Sequence, residues 1–231
     1  MFKNEKIIIF VAHPDDEVLG CGGLIAKYSS DNKFKVVFIA EGETCRMKKN
    51  ETIKQYKKKI TERNNQSKKA LRLLGVQNFN FYNFKCGELH NIPMLKINKL
   101  IEKEITLFKP TIILTHSEND LNLDHCTISK SVKVSTRPVK NITKNLKLIL
   151  NFEILSSSEW NISKVFKPNF FIELTKKDLE KKIKALEIYK NEIRPKPHSR
   201  SNYGIEILSR YRGLQIGKEF SEAYKVNKFI C

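Results

Sequence analysis

The stretch that decides the fold is KIIIFVAHPDDEVLGCGG, residues 6–23, in which an apolar run ends abruptly in ionisable side chains. The run KIIIFVA (6–12) has the length and β-branched composition of a buried strand. Four ionisable groups follow within five positions, with one proline among them: His13, Asp15, Asp16 and Glu17. Charges crowded at the end of a buried strand are costly unless something compensates them, and a divalent cation is one such compensator.

Further apolar runs repeat the strand pattern along the chain. The clearest are KVVFIA (35–40), FNFYNF (79–84) and TIILTH (111–116), and two later runs are LKLILNFEIL (146–155) and NFFIEL (169–174). Segments with helical periodicity lie between them, and the longest stops at Gly75, a good helix terminator. Strands that alternate with helices predict β-α-β units. We therefore expect an α/β protein with a doubly wound, mainly parallel sheet flanked by helices, and one domain over residues 1–231.

Polar residues fall where the predicted strands end. The second strand runs into EGETCR (41–46) and the fourth into HSENDLNLDH (116–125). In an open parallel sheet the carboxyl ends of the strands share one edge, and ligands bind there at the point where the strand order reverses. These clusters are therefore predicted to meet His13 and its neighbours in one crevice.

The residue types in that crevice are typical of a catalytic metal centre. A catalytic zinc site uses three protein ligands and leaves one position open. His13 and Asp16, across the Pro14 bend, can supply two ligands, and His125 can supply the third. We predict Asp124 as the N-cap of a helix beginning at His125. Asp15 lies beside the ligands without being needed among them, so it is the candidate general base.

The glycines at 20–23 raise the alternative of a dinucleotide-binding loop. That fingerprint must begin where the strand ends, and HPDDEVL occupies this place. We predict instead that these glycines let the following helix pack closely on the sheet. The sequence also lacks a G-x-x-x-x-G-K-[ST] phosphate loop.

These motifs resemble a known family. AHPDDEVLGCGG (12–23) looks like the signature of the PIG-L/LmbE-like zinc-dependent N-acetylglucosaminide deacetylases, and THSENDLNLDH (115–125) resembles their second motif. EGETCR resembles the turn after their second strand. The segments 156–174 and 196–213 resemble downstream blocks of the bacterial sugar-biosynthesis branch, so the likeness covers nearly the whole chain.

The resemblance implies a Rossmann-like fold and hydrolysis of an acetamide on an amino sugar, with release of acetate. It assigns one zinc ion per chain to His13, Asp16 and His125, the base to Asp15, and sugar binding to Arg46. The metal could equally be iron or cobalt. Where the family has a histidine that stabilises the oxyanion, assisted by the aspartate at the position of Asp124, this chain has Asn122. Asparagine can donate a hydrogen bond but offers no charge, so a non-catalytic protein that binds a sugar or a partner is the alternative.

Two further segments are candidates for substrate contacts. Trp160, the only tryptophan, is either a stacking surface for a sugar ring or a core residue. His198 and Arg200 lie in the proline-rich stretch RPKPHSRS, which is either a plain surface loop or a loop that covers a pocket.

Charge and cysteine usage bound the partners and the compartment. The net charge of +18 favours an anionic partner or reflects a solvated lysine surface. Nucleic acid is not expected, because no helix-turn-helix, zinc-finger spacing or stacking motif accompanies the charge. The five widely spaced cysteines predict reduced thiols and a cytoplasmic location, and no apolar run is long enough to span a membrane. The expected ligand is an N-acetyl sugar carried on a nucleotide, lipid phosphate or other anionic group; whether the chain forms a homo-oligomer stays open.

Overall fold

A computed structural model describes residues 2–138 and 142–230. Its single sheet has seven strands: β1 Lys6–Val11, β2 Lys33–Ala40, β3 Phe79–Phe84, β4 Ile112–His116, β5 Leu148–Phe152, β6 Phe170–Leu174 and β7 Phe220–Phe229. Six α-helices accompany them: α1 Asp16–Tyr28, α2 Ile53–Leu74, α3 Met94–Phe108, α4 Leu123–Ser135, α5 Lys176–Glu187 and α6 Asn202–Leu214. Single 3-10 turns lie at Thr44–Arg46 and Leu89–Asn91.

The strand order in the sheet is β3-β2-β1-β4-β5-β7-β6. All pairs from β3 to β5 are parallel, and β7 runs antiparallel to both of its neighbours. The order reverses between β1 and β4, which makes their carboxyl ends the switch point of the sheet. The doubly wound, mainly parallel α/β fold predicted from the sequence is confirmed.

Alternate residues of β1 pack against two different helix layers. Ile7, Ile9 and Val11 join a buried cluster that includes residues of α1, α2, α5 and α6. Ile8 and Phe10 face the opposite cluster, which includes residues of α3 and α4. β1 is therefore buried on both faces, which explains its uninterrupted apolar sequence.

Helix α1 begins at Asp16, inside the acidic cluster and four residues before the first of the glycines at 20–23. Asp16 and Glu17 thus occupy its first turn, where the helix dipole favours negative charge. A Cβ atom on Gly20 would lie 2.4 Å from Phe152 Cδ2, and one on Gly23 would lie 2.4 Å from Leu174 Cδ1. These glycines therefore permit the close approach of helix and sheet that the sequence predicts.

Strand β7 was not predicted, because two of its polar residues are buried. Ser221 and Glu222 are 1% and 6% exposed, so the strand lacks the alternation that marks a half-buried strand. Among the described residues, the structure holds no helix with both the length and the apolar character needed to cross a membrane.

Candidate active site

The candidate site lies at the switch point between β1 and β4. His13 follows the end of β1, and His116 is the last residue of β4. The Ala12 backbone N–H donates to His116 Nε2 at 2.8 Å, so the two strand ends are joined directly. His116 also stacks on His125 of α4, with ring centroids 4.0 Å apart and an interplanar angle of 10°. Burial, reinforced by the nearby His125, lowers the pKa of His116 to about 3, so its ring is neutral.

Three side chains converge there with the spacing of metal ligands. One ligand atom each from His13, Asp16 and His125 lies within 4.8 Å of the other two, and all three residues are buried. Asp16 Oδ2 is 3.4 Å from His13 Nδ1 and 3.4 Å from His125 Nε2. Two ligands of a tetrahedral ion with bonds of 2.0–2.1 Å are about 3.3 Å apart. Asp16 Oδ1 is buried without a hydrogen-bond partner among the described residues. The residues present therefore fit a zinc-like ion.

Each of the two histidines has a carboxylate at its other ring nitrogen. His13 Nε2 lies 2.9 Å from Asp124 Oδ2, and His125 Nδ1 lies 3.2 Å from Asp120 Oδ1. Asp120 is held in turn by the hydroxyls of Ser157 and Ser158. Carboxylates in this position orient a metal-ligating imidazole and select its tautomer.

Asp124 is not the helix N-cap that the sequence suggested. Helix α4 begins at Leu123, and Asn122 is its N-cap, with Oδ1 accepting the Asp124 backbone N–H at 2.9 Å. The Asp124 carboxylate instead accepts the backbone N–H groups of Gly87 at 2.6 Å and Leu89 at 3.1 Å, beside His13. Sequence alone could not choose between Asn122 and Asp124, which are two positions apart, because both Asn and Asp favour the N-cap.

The charges of the cluster are mutually compensating. Burial disfavours the charged form of His13, but hydrogen bonds to Asp124 and Asp16 outweigh it and raise its pKa to about 9. Burial likewise opposes protonation of His125, whereas Asp16 and Asp120 raise its pKa to about 10. Burial opposes ionisation of Asp16, but the charge of His125 and hydrogen bonds from His125 and His13 hold its pKa well below its usual range. The carboxylates therefore stabilise positive charge on His13 and His125. A bound metal ion would supply that positive charge in place of the protons on the two rings.

Asp15 adopts a backbone conformation that side chains rarely occupy, with φ 121° and ψ −28°. Its backbone N–H donates to Glu17 Oε2 at 3.0 Å. Its carboxylate receives Arg200 Nη1 at 2.9 Å and lies 3.4 Å from Arg63 Nη2. Burial raises the pKa of Asp15 to about 7, although Arg200 and Arg63 act in the opposite direction. Strain of this kind persists where the surroundings over-determine it, and it concentrates at functional sites.

A buried glutamate that the sequence analysis missed organises three arginines around Asp15. Glu192 is 2% exposed and pairs with Arg46, Arg63 and Arg200. Arg63 is 4% exposed although it lies in the lysine-rich helix α2. No sequence signal distinguishes it from the solvated cations around it. Glu192 stands just before RPKPHSRS, and that proximity was the only available hint.

The predicted substrate contacts are distributed around this cluster. Arg46 and Arg200 lie within it and are engaged in ion pairs rather than free. Trp160 is 53% exposed, which excludes the core alternative, and its ring lies 6.0 Å from that of His198 in an edge-on arrangement. The two rings form one aromatic surface. Cys126, beside His125, donates to the Asp120 carbonyl at 3.1 Å and is not among the ligating groups found in the described residues.

A family model described as PIG-L, GlcNAc-PI de-N-acetylase, matches residues 8–135, which is 128 of the 231 residues. This segment contains β4, all of β1 except its first two residues, and the strand-end motifs with His13, Asp16 and His125.

Solved structures with known activities share the fold. The N,N'-diacetylchitobiose deacetylase from Pyrococcus horikoshii has a TM-score of 0.76 and 20% identity, over 97% of this chain and 85% of that one. The A40926 pseudoaglycone deacetylase has a TM-score of 0.76 and 16% identity, over 99% and 100%. The 4-carboxy-2-hydroxymuconate hydratase from Pseudomonas putida KT2440 has a TM-score of 0.74 and 18% identity, over 98% of both chains. At such identities the likeness concerns the fold alone, and one fold here carries more than one reaction.

Proposed function

The chain belongs to the PIG-L family, and from this premise we propose that it hydrolyses the acetamide of an N-acetylated amino sugar. Water adds to the acetyl carbonyl, the C–N bond breaks, and acetate and a free amine leave. The observation that carries the proposal is the buried His13, Asp16 and His125 set beside Asp15 at the switch point. The proposal treats residues 1–231 as one deacetylase domain, because the sheet takes strands from both the matched segment and the rest of the chain.

His13, Asp16 and His125 would hold one zinc ion, and iron or cobalt would suit the same ligands. A zinc ion there supplies Lewis acidity, which polarises the acyl carbonyl and lowers the pKa of water towards neutrality. Asp124 and Asp120 act as positioning residues, because each faces the ring nitrogen that the metal does not use.

Asp15 is the proton acceptor in this proposal. Its carboxylate is buried next to the ligands, and its contact with Arg200 fixes its orientation. It takes the proton of the attacking water and returns it to the departing amine, since no second acid stands at the position of Asn122. A base is most effective when its pKa is near the working pH.

Asn122 is proposed as the donor to the developing oxyanion. Its Oδ1 accepts the Asp124 N–H at the helix cap, which leaves the Nδ2 amide as the group that would donate to the substrate. A neutral donor stabilises an oxyanion less than a charged one, because charge-assisted hydrogen bonds are roughly twice as strong. The chain is therefore a slow deacetylase or one fitted to a particular substrate.

A basic cleft beside Asp15 supports an anionic carrier on the sugar. The cleft has a volume of about 650 Å³, and its wall contains six cations: Arg46, Lys48, Lys59, Arg63, Lys190 and Arg194. Only two acidic residues, Glu43 and Glu62, line it. Glu192 and Glu51 engage Arg46, Arg63 and Lys59, whereas Lys48, Lys190 and Arg194 have no carboxylate within 4 Å among the described residues.

The cleft adjoins the metal ligands through one side chain. Arg63 lines the cleft and also donates to the Pro14 carbonyl at 2.8 Å, between His13 and Asp15. A sugar whose acetamide reaches the ligands can thus place a nucleotide, phosphate or similar anion among Lys48, Lys190 and Arg194. Trp160 and His198 are proposed to contact the sugar ring, and Arg46 and Arg200 its hydroxyls.

The reaction is tested by acetate release from a panel of N-acetyl sugars, free and linked to nucleotides or lipid phosphates, with zinc-loaded protein. His13→Ala should lose most of the bound metal and the activity, whereas His90→Ala, at an exposed histidine that is not in the ligand set, should keep both. Binding of metal without hydrolysis of any member would favour the non-catalytic alternative. Unchanged metal content in His13→Ala would contradict the ligand assignment.

The carrier is tested by replacing Lys48, Lys190 and Arg194 together with glutamine. The KM for an anionic conjugate should rise roughly tenfold, because each exposed ion pair contributes about 0.2–1 kcal/mol. The KM for a neutral N-acetyl sugar should not change. A matched triple variant at Lys103, Lys130 and Lys167, which are exposed and outside the cleft, should behave like the original protein. Equal effects of the two triple variants would contradict this part of the proposal.

A further inference from the structure

Two cysteines that are 41 residues apart in the chain meet beside the candidate site. Cys45 lies in the exposed 3-10 turn after β2, and Cys86 is buried just after β3. Their Sγ atoms are 2.8 Å apart, with the Cys86 thiol donating towards Cys45. A disulfide bond is about 2.04 Å long, so a small side-chain rotation would bring the two atoms to bonding distance.

The two thiols differ in reactivity. The hydrogen bond from Cys86, with the positive charge of Arg46, lowers the pKa of Cys45 to about 6 against the effect of burial. The same hydrogen bond and burial raise the pKa of Cys86. An exposed, acidic thiol next to a buried resolving thiol is the arrangement found in redox-sensitive pairs.

The pair joins two loops that shape the site. Cys45 directly precedes Arg46, which binds Glu192. On the other side, the Cys86 backbone N–H donates to Glu41 at 3.0 Å, and the neighbouring Gly87 N–H donates to Asp124. Cys86 Sγ is also within 4.8 Å of ligating atoms of His13 and Asp124. A bond between the sulfur atoms would therefore tie the loop that carries Arg46 to the loop that supports Asp124.

We propose that Cys45 and Cys86 are a reversible modification site that forms a disulfide when a peroxide reaches the protein. The Cys45 thiol first gives its proton to solvent, and the thiolate attacks one peroxide oxygen, breaks the O–O bond and becomes a sulfenic acid. The hydroxide that leaves takes up one proton from solvent and becomes the first water. The Cys86 thiol then attacks the Cys45 sulfur, and the hydroxyl leaves as a second water. Two thiols are oxidised and one hydrogen peroxide is reduced to two waters. A dithiol reductant reverses the bond by thiol–disulfide exchange.

A second metal ion held by Cys86, His13 and Asp124 is the competing explanation of these contacts. The Asp124 carboxylate already accepts two backbone N–H groups and faces His13 Nε2, so its hydrogen-bonding capacity is largely used without a metal. The contact between the sulfur atoms also involves Cys45, which is not part of that group. The structure therefore favours the disulfide, and the metal becomes an outcome of the test.

The test uses the zinc-loaded protein, reduced first and then treated with one equivalent of hydrogen peroxide. Of its five thiols, two should become unreactive, the intact mass should fall by two hydrogen atoms, and peptide mapping should link Cys45 to Cys86. The reductant should restore both thiols. Cys126→Ser, a matched control at a partly buried cysteine outside the proposed pair and outside the ligand set, should oxidise like the original protein.

Variants of the pair separate its two roles. In Cys45→Ser no disulfide should form, and Cys86 should stay reduced because it is buried. In Cys86→Ser, Cys45 should accumulate as a sulfenic acid that reacts with dimedone. If Cys86→Ser fails to fold, Cys45→Ser still tests the proposal, because a substitution at an exposed position should not disturb folding. Retention of all thiols after peroxide, or a link between other cysteines, would overturn the proposal.

The stoichiometry of zinc binding and the KM of the proposed deacetylation provide two further readouts. A second equivalent of zinc that binds the original protein and not Cys86→Ser would overturn the proposal in favour of the metal. If the proposed deacetylation holds, oxidation should change the KM for an anionic conjugate in the original protein and leave it unchanged in Cys45→Ser. Formation of the disulfide is measured without any activity, so failure of the proposed function and failure of this proposal are distinguishable.

Discussion

At the scale of single residues, Asp15 concentrates three separate constraints. Its backbone is in a rarely occupied region and its side chain is 2% exposed. Arg200 donates to its carboxylate, and Arg63 lies 3.4 Å from the same oxygen. Backbone strain of this kind costs of order 1–3 kcal/mol and burial of the carboxylate adds to it. A residue kept under these conditions, next to three metal-type ligands, is best explained by a chemical role.

Asp15→Asn should keep the metal and lose hydrolysis. The amide is nearly the same size and leaves His13, Asp16 and His125 in place, but it cannot accept the proton of water. We expect kcat to fall by roughly two to four orders of magnitude, the range for loss of a general base. Metal content and acetate release are measured on the same sample. Turnover equal to that of the original protein would exclude Asp15 as the base.

Asn122 has two roles that substitutions can separate. Asn122→Asp retains the oxygen that caps α4 but removes the amide donor, so it should fold normally and lower kcat by about 10²–10³-fold. Asn122→Ala removes both, and it should also lose about 1 kcal/mol of unfolding free energy with the cap. Steady-state kinetics and urea denaturation measure the two effects. If Asn122→Asp hydrolyses as fast as the original protein, Asn122 does not face the oxyanion.

At the scale of elements, helix α1 is fixed by an ion pair that enters its hydrogen-bond ladder. Lys182 of α5 donates to the Leu19 carbonyl at 2.7 Å, and Glu222 of β7 accepts the backbone N–H groups of Gly23 at 2.8 Å and Leu24 at 2.7 Å. Lys182 and Glu222 also pair with each other at 2.7 Å. The pair thus fixes α1, whose first turn carries Asp16, to α5 and β7, which are distant from it in sequence.

Lys182→Met should destabilise the protein strongly, because it leaves Glu222 buried without its cation and the Leu19 carbonyl without a donor. Removing one partner of a buried ion pair typically costs about 3–5 kcal/mol. Lys184→Met, at an exposed position of the same helix, should change the unfolding free energy by less than about 0.5 kcal/mol. Urea denaturation compares the two variants. Equal stabilities would mean that the pair contributes nothing to the anchoring of α1.

At the scale of the whole molecule, the strand order explains why the site lies where it does. The reversal between β1 and β4 brings His13 and His125, which are 112 positions apart in the chain, to one edge of the sheet. The basic cleft opens beside that edge, on a chain whose net charge is +18. Both features follow from the same parallel arrangement, because the loops after β1 and β2 leave the sheet on one side.

Binding of an anionic sugar conjugate should weaken as salt is added, and binding of a neutral analogue should not. Exposed charges are screened over about 10 Å at 0.1 M ionic strength, so the contribution of the cleft is lost first. Titration calorimetry between low and high sodium chloride measures both ligands. Equal salt dependence for the two ligands would mean that the excess lysines form a solvated surface and do not bind the ligand. Tight, salt-sensitive binding of arbitrary DNA without sugar hydrolysis would instead favour a nucleic-acid role.

The sequence by itself determined the class of fold and the edge of the sheet at which chemistry is to be expected. Apolar runs, helical periodicity and terminators such as Gly75 are local signals, so the first four strands and the long helices could be predicted from them. The strand-end motifs also singled out His13, Asp16 and His125, because ionisable residues directly after buried strands are conspicuous in any sequence.

Only the tertiary structure decided which polar residues become buried and with whom they pair. Glu192 and Arg63 look like ordinary surface charges in sequence, β7 hides its buried Glu222 within a polar pattern, and Cys45 and Cys86 are merely two of five cysteines. The choice of Asn122 over Asp124 as the cap likewise depends on where Gly87 and Leu89 offer their N–H groups. Burial and pairing arise from contacts between elements far apart in the chain, and no local pattern carries that information.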